Sequence, residues 1–248
     1  APRRVVVPGY RHQRRNPHDR VPVRCMHQRR PPRQAHPPLR RRLLRPHPRP
    51  HRHHPNNVQR IDAVVYTHAH ADHIMGLDDV RRFNTIKGGP LDVWADADTH
   101  QTLQRCFDYA FAQQPPEVRL FRPQLLPRLI DGPFEIGGAR WTPIPLIHGA
   151  VMSLGFRIGN LAYCTDVSQI PEPSYELLHG LDVLVLDGLQ HRKHLTHLTI
   201  EEAIDASRRI GARRTYLTHI AHGVSHAQTR LPPGIELAYD GLTVTSTL

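Results

Sequence analysis

Apolar and polar residues follow two different patterns along this 248-residue chain, and the pattern changes near residue 56. Beyond that point, short apolar and β-branched runs recur, a pattern typical of buried strands. The strands that this pattern predicts span residues 61–66, 91–95, 144–147, 154–158, 161–164, 183–186, 214–218 and 242–245. Before residue 56 the only comparable run is Val5-Val6-Val7, so we predict little regular structure there.

Helical periodicity appears between the predicted strands. Asp98 can cap a helix whose apolar residues recur at three- and four-residue spacing. These apolar positions are Leu103, Phe107, Ala110 and Phe111. Because strands and helices interleave, the pattern predicts an α/β (α+β) fold with layers of both.

A second helix is predicted after residue 199. Thr199 and Glu202 form a T-x-x-E capping box, which marks the first turn of a helix. The apolar face that follows consists of Ile200, Ala203, Ile204 and Ile210. A helix with one apolar face packs on a sheet, so this segment extends the layered arrangement.

The stretch before residue 56 also differs in charge. Residues 1–55 contain 16 Arg and 12 Pro but a single acidic residue, Asp19, and carry a net charge of +15, whereas residues 56–248 carry −4. A segment with so few large apolar residues cannot offset the entropy lost on ordering. We therefore predict a basic leader at 1–55, disordered in isolation, and a globular domain at 56–248.

Two hypotheses account for this leader. A run such as Arg40-Arg41-Arg42 can bind polyanions, including nucleic acid, through charge alone. Alternatively, the leader is the product of a GC-rich gene read out of frame. A shift of one base lets Val21–Pro31 encode C-R-C-D-A-C-I-S-D-D-P and recovers a glycine-rich stretch after Val7. We interpret the leader as such a frameshift product, with non-specific nucleic-acid binding as the alternative.

Composition excludes some protein classes. No apolar run reaches the roughly 18 residues of a membrane-spanning helix, and the leader lacks the apolar stretch of a signal peptide. Three cysteines, Cys25, Cys106 and Cys164, form no disulfide framework. Their small number fits a reducing compartment. We expect a cytoplasmic protein with no membrane segment.

The strongest chemical signal is the run Thr67-His68-Ala69-His70-Ala71-Asp72-His73, directly after the first predicted strand. Three imidazoles and a carboxylate suit Zn²⁺, Mn²⁺ or Fe. Alternate residues of an extended segment point the same way, so His68 and His70 can bind one ion together. Asp72 and His73 follow as the chain turns into a helix and face a neighbouring position.

Further ligand candidates follow later strands. His148, Asp166 and His219 each come directly after a short apolar run. Side chains at strand ends gather at the edge of a sheet, where binding sites are common. Asp166 is a carboxylate, which can bridge two cations.

The motif His68–Asp79, H-A-H-A-D-H-I-M-G-L-D-D, resembles the signature of the metallo-β-lactamase superfamily. Its continuation through Arg82-Phe83-Asn84 is similar to the PhnP-like branch, whose type enzyme opens phosphoribosyl cyclic phosphate. The resemblance runs from about Asn57 to Leu248. It implies an αββα sandwich with a binuclear metal site at the sheet edges.

The resemblance also implies roles for the candidate residues. Two divalent ions, Zn²⁺ or Mn²⁺, are expected, with Asp166 bridging them. The ligands implied for one ion are His68, His70 and His148, and those for the other are Asp72, His73 and His219. His197, which precedes the capping-box helix, matches the general acid of the family, with His194 as the second choice. Asp72 is a catalytic candidate as well as a ligand.

The chain also departs from the family pattern. Members of this branch begin with a glycine-rich strand and often hold a structural zinc through a cysteine cluster and a late histidine. His222 matches that histidine, but Cys25 is the only cysteine in the leader. We therefore expect no structural zinc and a sandwich that lacks its N-terminal strands.

These observations predict a metal-dependent hydrolase acting on a small phosphodiester, such as a cyclic ribose phosphate or small nucleotide. A thioester or lactone hydrolase and a tRNA-processing nuclease are alternatives within the same fold. A non-catalytic protein that binds nucleic acid through the leader is an alternative outside it. A homodimer is left open as the assembly state.

Overall fold

The computed structural model describes residues 4–6, 60–113 and 121–246, which contain both strands and helices. The strands in these ranges are β1 (Arg4–Val6), β2 (Ala63–Val65), β3 (Leu91–Ala95), β4 (Leu125–Leu129), β5 (Phe134–Ile136), β6 (Ala139–His148), β7 (Val151–Ile158), β8 (Leu161–Cys164), β9 (Val183–Asp187), β10 (Arg214–Thr218), β11 (Ile235–Leu237) and β12 (Thr243–Thr245). The α-helices are α1 (Ala71–Ile74), α2 (Arg81–Lys87), α3 (Ala97–Cys106), α4 (Asp108–Phe111), α5 (Glu172–Glu176) and α6 (Ile200–Ile210), and a 3₁₀ helix spans Leu77–Val80.

The strands form three sheets. The largest has seven strands in the order β11-β10-β9-β8-β7-β6-β5, parallel from β11 to β8 and antiparallel from β8 to β5. A three-stranded parallel sheet has the order β2-β3-β4, and β1 pairs with β12 in an antiparallel pair.

Since β7 is antiparallel to both β6 and β8, β6 runs in the same direction as β8, β9 and β10. The carboxyl ends of these four strands therefore lie at one edge.

The two larger sheets pack face to face with helices outside them. Trp94 of β3 stacks on Phe134 of β5 with 4.5 Å between ring centroids, in an apolar cluster shared by both sheets. Ile200 of α6 packs with Leu186 of β9 in the main core, and Leu103 of α3 is fully buried against the three-stranded sheet. Truncation of a buried leucine such as Leu103 costs about 2–5 kcal/mol. The fold is the predicted mixed α/β arrangement, with the layer order helix, sheet, sheet, helix.

The predicted strands are confirmed, with small shifts at their ends. The segments 91–95, 161–164 and 214–218 have the predicted bounds, while 61–66 shortens to β2 and 144–147 lies inside the ten-residue β6. Strands β4, β5 and β11 were not predicted. In β4, Pro127 interrupts the apolar pattern, which is tolerated because β4 is an edge strand.

The helix predictions need two corrections. The cap of α3 is Asp96, whose carboxylate accepts a 2.7 Å hydrogen bond from the Thr99 N–H, whereas Asp98 lies inside the first turn. The helix also ends at Cys106, because Phe107 leaves helical geometry at φ −136°, ψ 39° before the short α4 begins. The capping box of Thr199 and Glu202 is confirmed, with both reciprocal hydrogen bonds present.

The leader is described only at residues 4–6. These residues form β1, with Val5 opposite Val244 of β12, so two residues of the apolar run Val5-Val6-Val7 belong to a strand. The rest of the segment at 1–55, including Asp19 and Cys25, lies outside the described residues. Among the described strands, β2 has β3 as its one neighbour.

Candidate metal centre

The ligand candidates come from strand ends that share one edge of the seven-stranded sheet. His148 is the last residue of β6, Asp166 follows β8, and His219 follows β10. The hydrogen bond from the Leu154 N–H to the Thr67 carbonyl, 2.9 Å long, brings the histidine-rich loop of the smaller sheet next to β7. The two sheets therefore place all the predicted ligands within one cluster.

The first group contains His68, His70, His148 and Asp166, each offering a ligand atom within 4.8 Å of the others. Nε2 of His68 and Nε2 of His148 both lie 3.8 Å from Oδ2 of Asp166. Nε2 of His148 is also 3.1 Å from Nδ1 of His70. Three imidazole nitrogens and one carboxylate oxygen at this spacing are the donor set of a zinc-like cation.

The second group shares Asp166 with the first and adds Asp72, His73 and His219. Oδ2 of Asp166 is 3.2 Å from Nε2 of His73 and 3.4 Å from Nε2 of His219. His219 Nε2 lies 3.6 Å from Asp72 Oδ2. The structure thus brings together the seven predicted ligands as two sets with one common carboxylate.

Hydrogen bonds orient the buried histidines toward the cluster. Nδ1 of His148 donates to the Thr196 carbonyl at 2.6 Å, and Nδ1 of His68 lies 3.0 Å from the Thr67 hydroxyl. Both rings therefore present Nε2 to Asp166. Nε2 of His68 is buried and has no hydrogen-bond partner among the described residues. A buried polar atom without a partner is costly, and a cation at this position would satisfy it. The residues present fit a divalent metal.

Protonation in the cluster also suits metal binding. Burial, followed by the neighbouring His73, lowers the pKa of His68 to about 3, so this ring is neutral and can act as a ligand. Burial works against the charge of Asp166, yet the hydrogen bond with His73 and the charge of His219 hold its pKa well below its usual range. Asp166 is therefore a carboxylate at neutral pH.

His219 has an unusual backbone conformation. Its φ of 59° lies in the left-handed region, which residues other than glycine rarely adopt. Such strained conformations concentrate at functional sites, where the surrounding structure holds them. This conformation turns the chain directly after β10, and the His219 ring lies beside Asp72 and Asp166.

His197 lies beside the cluster and has a partner that sequence reasoning missed. Its Nδ1 is 2.7 Å from Oδ2 of Asp187, which also accepts a 2.9 Å hydrogen bond from the Val167 N–H. The His197 ring stacks on His219 with centroids 4.5 Å apart. Asp187 ends β9 and is fully buried, and burial raises its pKa. Its position at a strand end, like that of His148, is the signal that could have identified it.

Two other histidines lie apart from the ligand groups. The ring of His194 is 5.1 Å from that of His197 and is partly exposed. His222 is exposed and belongs to none of the ligand groups in the described residues. The leader segment around Cys25, which would have to supply its zinc partners, lies outside these residues. In the same ranges, no helix has the length and apolar character that crossing a bilayer requires.

A close contact at Gly149 joins the hairpin of β6 and β7 to the loop that carries His197. A Cβ on Gly149 would lie 2.6 Å from Cγ2 of Thr196, and φ of Gly149 is +63°. The carbonyl of Thr196 accepts the hydrogen bond of His148, so this contact supports the position of the His148 ring. Glycine at this position lets the two segments approach each other.

Gly149→Ala is expected to destabilise the protein more than Gly180→Ala. Both glycines have positive φ, which costs an alanine about 1–2 kcal/mol, but a Cβ on Gly180 would meet nothing within 4 Å. The clash with Thr196 should add about 1–3 kcal/mol, the usual cost of overpacking. Urea unfolding of the two metal-free variants measures the difference. Equal losses would show that Thr196 moves away without cost.

Comparison with known proteins gives a consistent family relationship. A family model described as "Beta-lactamase superfamily domain" matches residues 34–220. The crystal structure of a new diphosphatase from the PhnP family is 40% identical, with a TM-score of 0.70 over 77% of this chain and 73% of that chain. The fold also resembles the metallo-β-lactamase fold protein YhfI from Bacillus subtilis, at 20% identity and a TM-score of 0.59 over 75% of this chain and 78% of that chain.

Another relative is named for a different activity. The chain is 34% identical over 190 residues to an octanoyltransferase of Porphyromonas gingivalis (strain ATCC BAA-308 / W83), a match that covers 75% of this chain. The matched region spans 38% of that protein's length. The name therefore describes a much longer protein than the part that is similar.

Proposed function

Since the chain belongs to the beta-lactamase superfamily and has the metallo-β-lactamase fold, we propose that this hydrolase cleaves phosphodiesters, with a cyclic ribose phosphate or small nucleotide as substrate. The observation that carries the proposal is the pair of ligand sets sharing Asp166, with His197 beside them. The similarity to the PhnP-family diphosphatase, an enzyme whose name indicates a phosphate-containing substrate, supports the proposal.

The two ligand groups would hold two divalent cations, Zn²⁺ or Mn²⁺. Bound cations withdraw charge from a phosphoryl group and lower the pKa of a coordinated water towards neutral, which supplies the nucleophile. Asp166 belongs to both groups and would be the ligand that they share. His68 and His148 are oriented by their hydrogen bonds, so they need little reorganisation to bind.

His197 is placed to act as the general acid. Its Nδ1 is taken by Asp187, which leaves Nε2 as the nitrogen available to substrate. Hydroxide, formed when water releases a proton to solvent, makes the new P–O bond. As the bond to the leaving group breaks, Nε2 gives its proton to the leaving oxygen. Imidazole suits this transfer near pH 7. Asp187 fixes the ring and stabilises its charged form.

Asp187→Asn is expected to slow turnover of alkyl phosphodiesters by about 10–100-fold, by analogy with the carboxylate partners of metal-bound histidines. Loss of the carboxylate lowers the pKa of His197. A general acid works in its protonated form, so the alkaline limb of the pH–rate profile should move to lower pH. An exposed aspartate on α6 provides the control variant Asp205→Asn. An unchanged profile would contradict the role of Asp187.

The proposal is tested on metal-free protein reconstituted with Mn²⁺ or Zn²⁺. Substrates are bis(p-nitrophenyl) phosphate, a ribonucleoside 2′,3′-cyclic phosphate, an octanoyl thioester and a precursor tRNA. Metal-dependent turnover of the two small diesters supports the proposal. Preferential turnover of the thioester would favour acyl chemistry, and turnover of the tRNA alone would favour a nuclease. No turnover of any of them would contradict it.

A further inference from the structure

Two consecutive residues of β7 hold the two loops that carry candidate ligands. The Ser153 hydroxyl donates to the Asp166 carbonyl at 2.6 Å, and the Leu154 N–H donates to the carbonyl of Thr67, the residue before His68. The bond from Leu154 joins main-chain groups and needs no particular side chain. The bond from Ser153 exists only because residue 153 has a hydroxyl, so its side chain calls for an explanation.

The Ser153 side chain lies at an otherwise apolar position. Ser153 is fully buried and is opposite Leu146 in the β6–β7 register, so both side chains lie on the same face of the sheet. Leu146 belongs to the main core. A buried hydroxyl is costly unless it forms a hydrogen bond, and the Asp166 carbonyl supplies the acceptor here. The contact with Asp166 therefore explains a polar residue at this core position.

Asp166 itself lies beyond the regular pairing of the sheet. The β8–β9 register ends at Cys164 and Leu186, two residues before Asp166, so ladder hydrogen bonds do not set the position of its main chain. Among the described residues, no main-chain N–H donates to the Asp166 carbonyl. The Ser153 hydroxyl is the group that fixes it.

The residues that follow Asp166 are held by other groups. The Val167 N–H donates to Oδ2 of Asp187 at 2.9 Å. The hydroxyl and the N–H of Ser168 both donate to the Ile147 carbonyl, at 3.1 and 2.8 Å. Removal of the Ser168 hydroxyl would therefore leave a main-chain bond in place. The Asp166 carbonyl has no such second donor in the part of the chain that the structure describes.

A displacement of the Asp166 main chain would act on both ligand groups at once. The Thr165 hydroxyl donates to Oδ1 of Asp166 at 2.9 Å, and Oδ2 lies 3.2–3.8 Å from the Nε2 atoms of four histidines. Ligand atoms have to lie within about 0.2 Å of their ordinary distance from a metal. Even a small shift of the main chain would therefore weaken binding by both groups.

From these contacts we infer that Ser153 is a positioning residue for Asp166, and that its hydroxyl raises the affinity of the site for divalent cations. Ser153 binds neither metal nor substrate. It acts through the main chain of Asp166, which is free to move when the hydroxyl is lost. The inference rests on the metal centre of the proposed function and is independent of the substrate that is hydrolysed.

The test is a calorimetric titration of the metal-free full chain with Mn²⁺. Ser153→Ala should weaken Mn²⁺ binding by about 10–100-fold, the usual loss when a group that orients a metal ligand is removed. Ser153→Cys keeps a weaker donor of similar size and should lose less. Ser174→Ala is the matched control, because Ser174 is also buried and its hydroxyl also donates to a main-chain carbonyl, that of Pro145, at 2.6 Å. This control should bind Mn²⁺ like wild type.

Urea unfolding of the metal-free variants separates positioning from a purely structural role. Both alanine variants lose a buried hydrogen bond, so both should unfold at a lower urea concentration than wild type, but Ser153→Ala alone of the two should lose affinity for Mn²⁺. Wild-type affinity in Ser153→Ala, or an equal loss in Ser174→Ala, would overturn the inference. If Ser153→Ala does not fold, Ser153→Cys decides in its place, and wild-type affinity in that variant overturns the inference.

The same samples separate this inference from the proposed function. If wild type binds Mn²⁺ but hydrolyses no diester, the function fails, and the inference stands when Ser153→Ala binds Mn²⁺ more weakly. If wild type hydrolyses the diesters and Ser153→Ala has the same Mn²⁺ affinity, the function is supported and the inference fails. A wild type that binds no Mn²⁺ would also overturn the inference.

Discussion

His197→Ala is expected to slow hydrolysis of phosphodiesters with poor leaving groups by about 10²–10⁴-fold, the range for a positioned general acid. The Nδ1 contact with Asp187 and the stacking on His219 place this ring beside the two groups that share Asp166, and with Asp187 and His219 it forms a third group of possible ligands. Because the two groups that share Asp166 do not include His197, we expect the content of about two ions per chain to be unchanged. Single-turnover rates on a ribonucleoside 2′,3′-cyclic phosphate, with metal analysis of the same sample, measure both quantities.

An activated aryl ester gives the control for this variant. A nitrophenolate leaves without a proton, so bis(p-nitrophenyl) phosphate should be much less affected. His179→Ala removes an exposed histidine elsewhere on the surface and should change neither substrate. Equal losses on the alkyl and aryl esters would mean that His197 positions the metals or the substrate. If His194→Ala alone shows the differential, the roles of the two histidines must be exchanged.

Asp166→Ala is expected to reduce the metal content from about two ions per chain and to abolish turnover. Asp166 is the one residue common to both ligand groups, and its Oδ2 lies 3.2–3.8 Å from four histidine nitrogens. Its removal takes a ligand from each set and leaves neighbouring histidines without their counter-charge. Metal analysis after gel filtration measures the stoichiometry, and the gain in Tm on adding Mn²⁺ measures binding independently.

The control for Asp166 is a carboxylate outside the cluster. Asp131→Ala removes an exposed aspartate and should keep both ions and the full Tm response. Asp166→Asn retains the side-chain shape and the hydrogen bond to the Thr165 hydroxyl, 2.9 Å long in the wild type. It should therefore fold like wild type while binding metal weakly. A wild-type stoichiometry of one ion, unchanged in Asp166→Ala, would refute the shared-ligand assignment.

The sequence predicted residues that follow buried strands better than residues inside irregular segments. His148 and His219 were found because each follows a short apolar run, and parallel strand ends converge on one edge. Asp187 was missed although it directly follows the predicted strand Val183–Leu186 and is, like His148, the last residue of a strand. Its importance depends on His197, ten residues away along the chain, and only the fold shows that the two are 2.7 Å apart.

Edge strands and helix ends were harder to predict, for physical reasons. Leu125–Leu129, which pairs with β3, contains a proline and four exposed residues. The segment therefore shows no alternation of apolar and polar residues from which a strand could be predicted. At α3, Asp96 and Asp98 both satisfy the cap preference, and the choice follows from where β3 ends at Ala95. No glycine or proline marks the end of α3 at Phe107, so the sequence gives no signal for this break.

The common edge of β6, β8, β9 and β10 has a consequence for how such a protein can change over evolutionary time. Candidate ligands at the ends of these strands are inherited together with the sheet core, whereas the contacts of residues 190–197 with His148 and His219 come from Thr196 and His197 at the end of that loop. Replacements at residues 190–195 can therefore alter which molecules are accepted while Thr196 and His197 keep their contacts. New specificities can therefore arise from a few codons in one loop, while the candidate metal ligands persist unchanged.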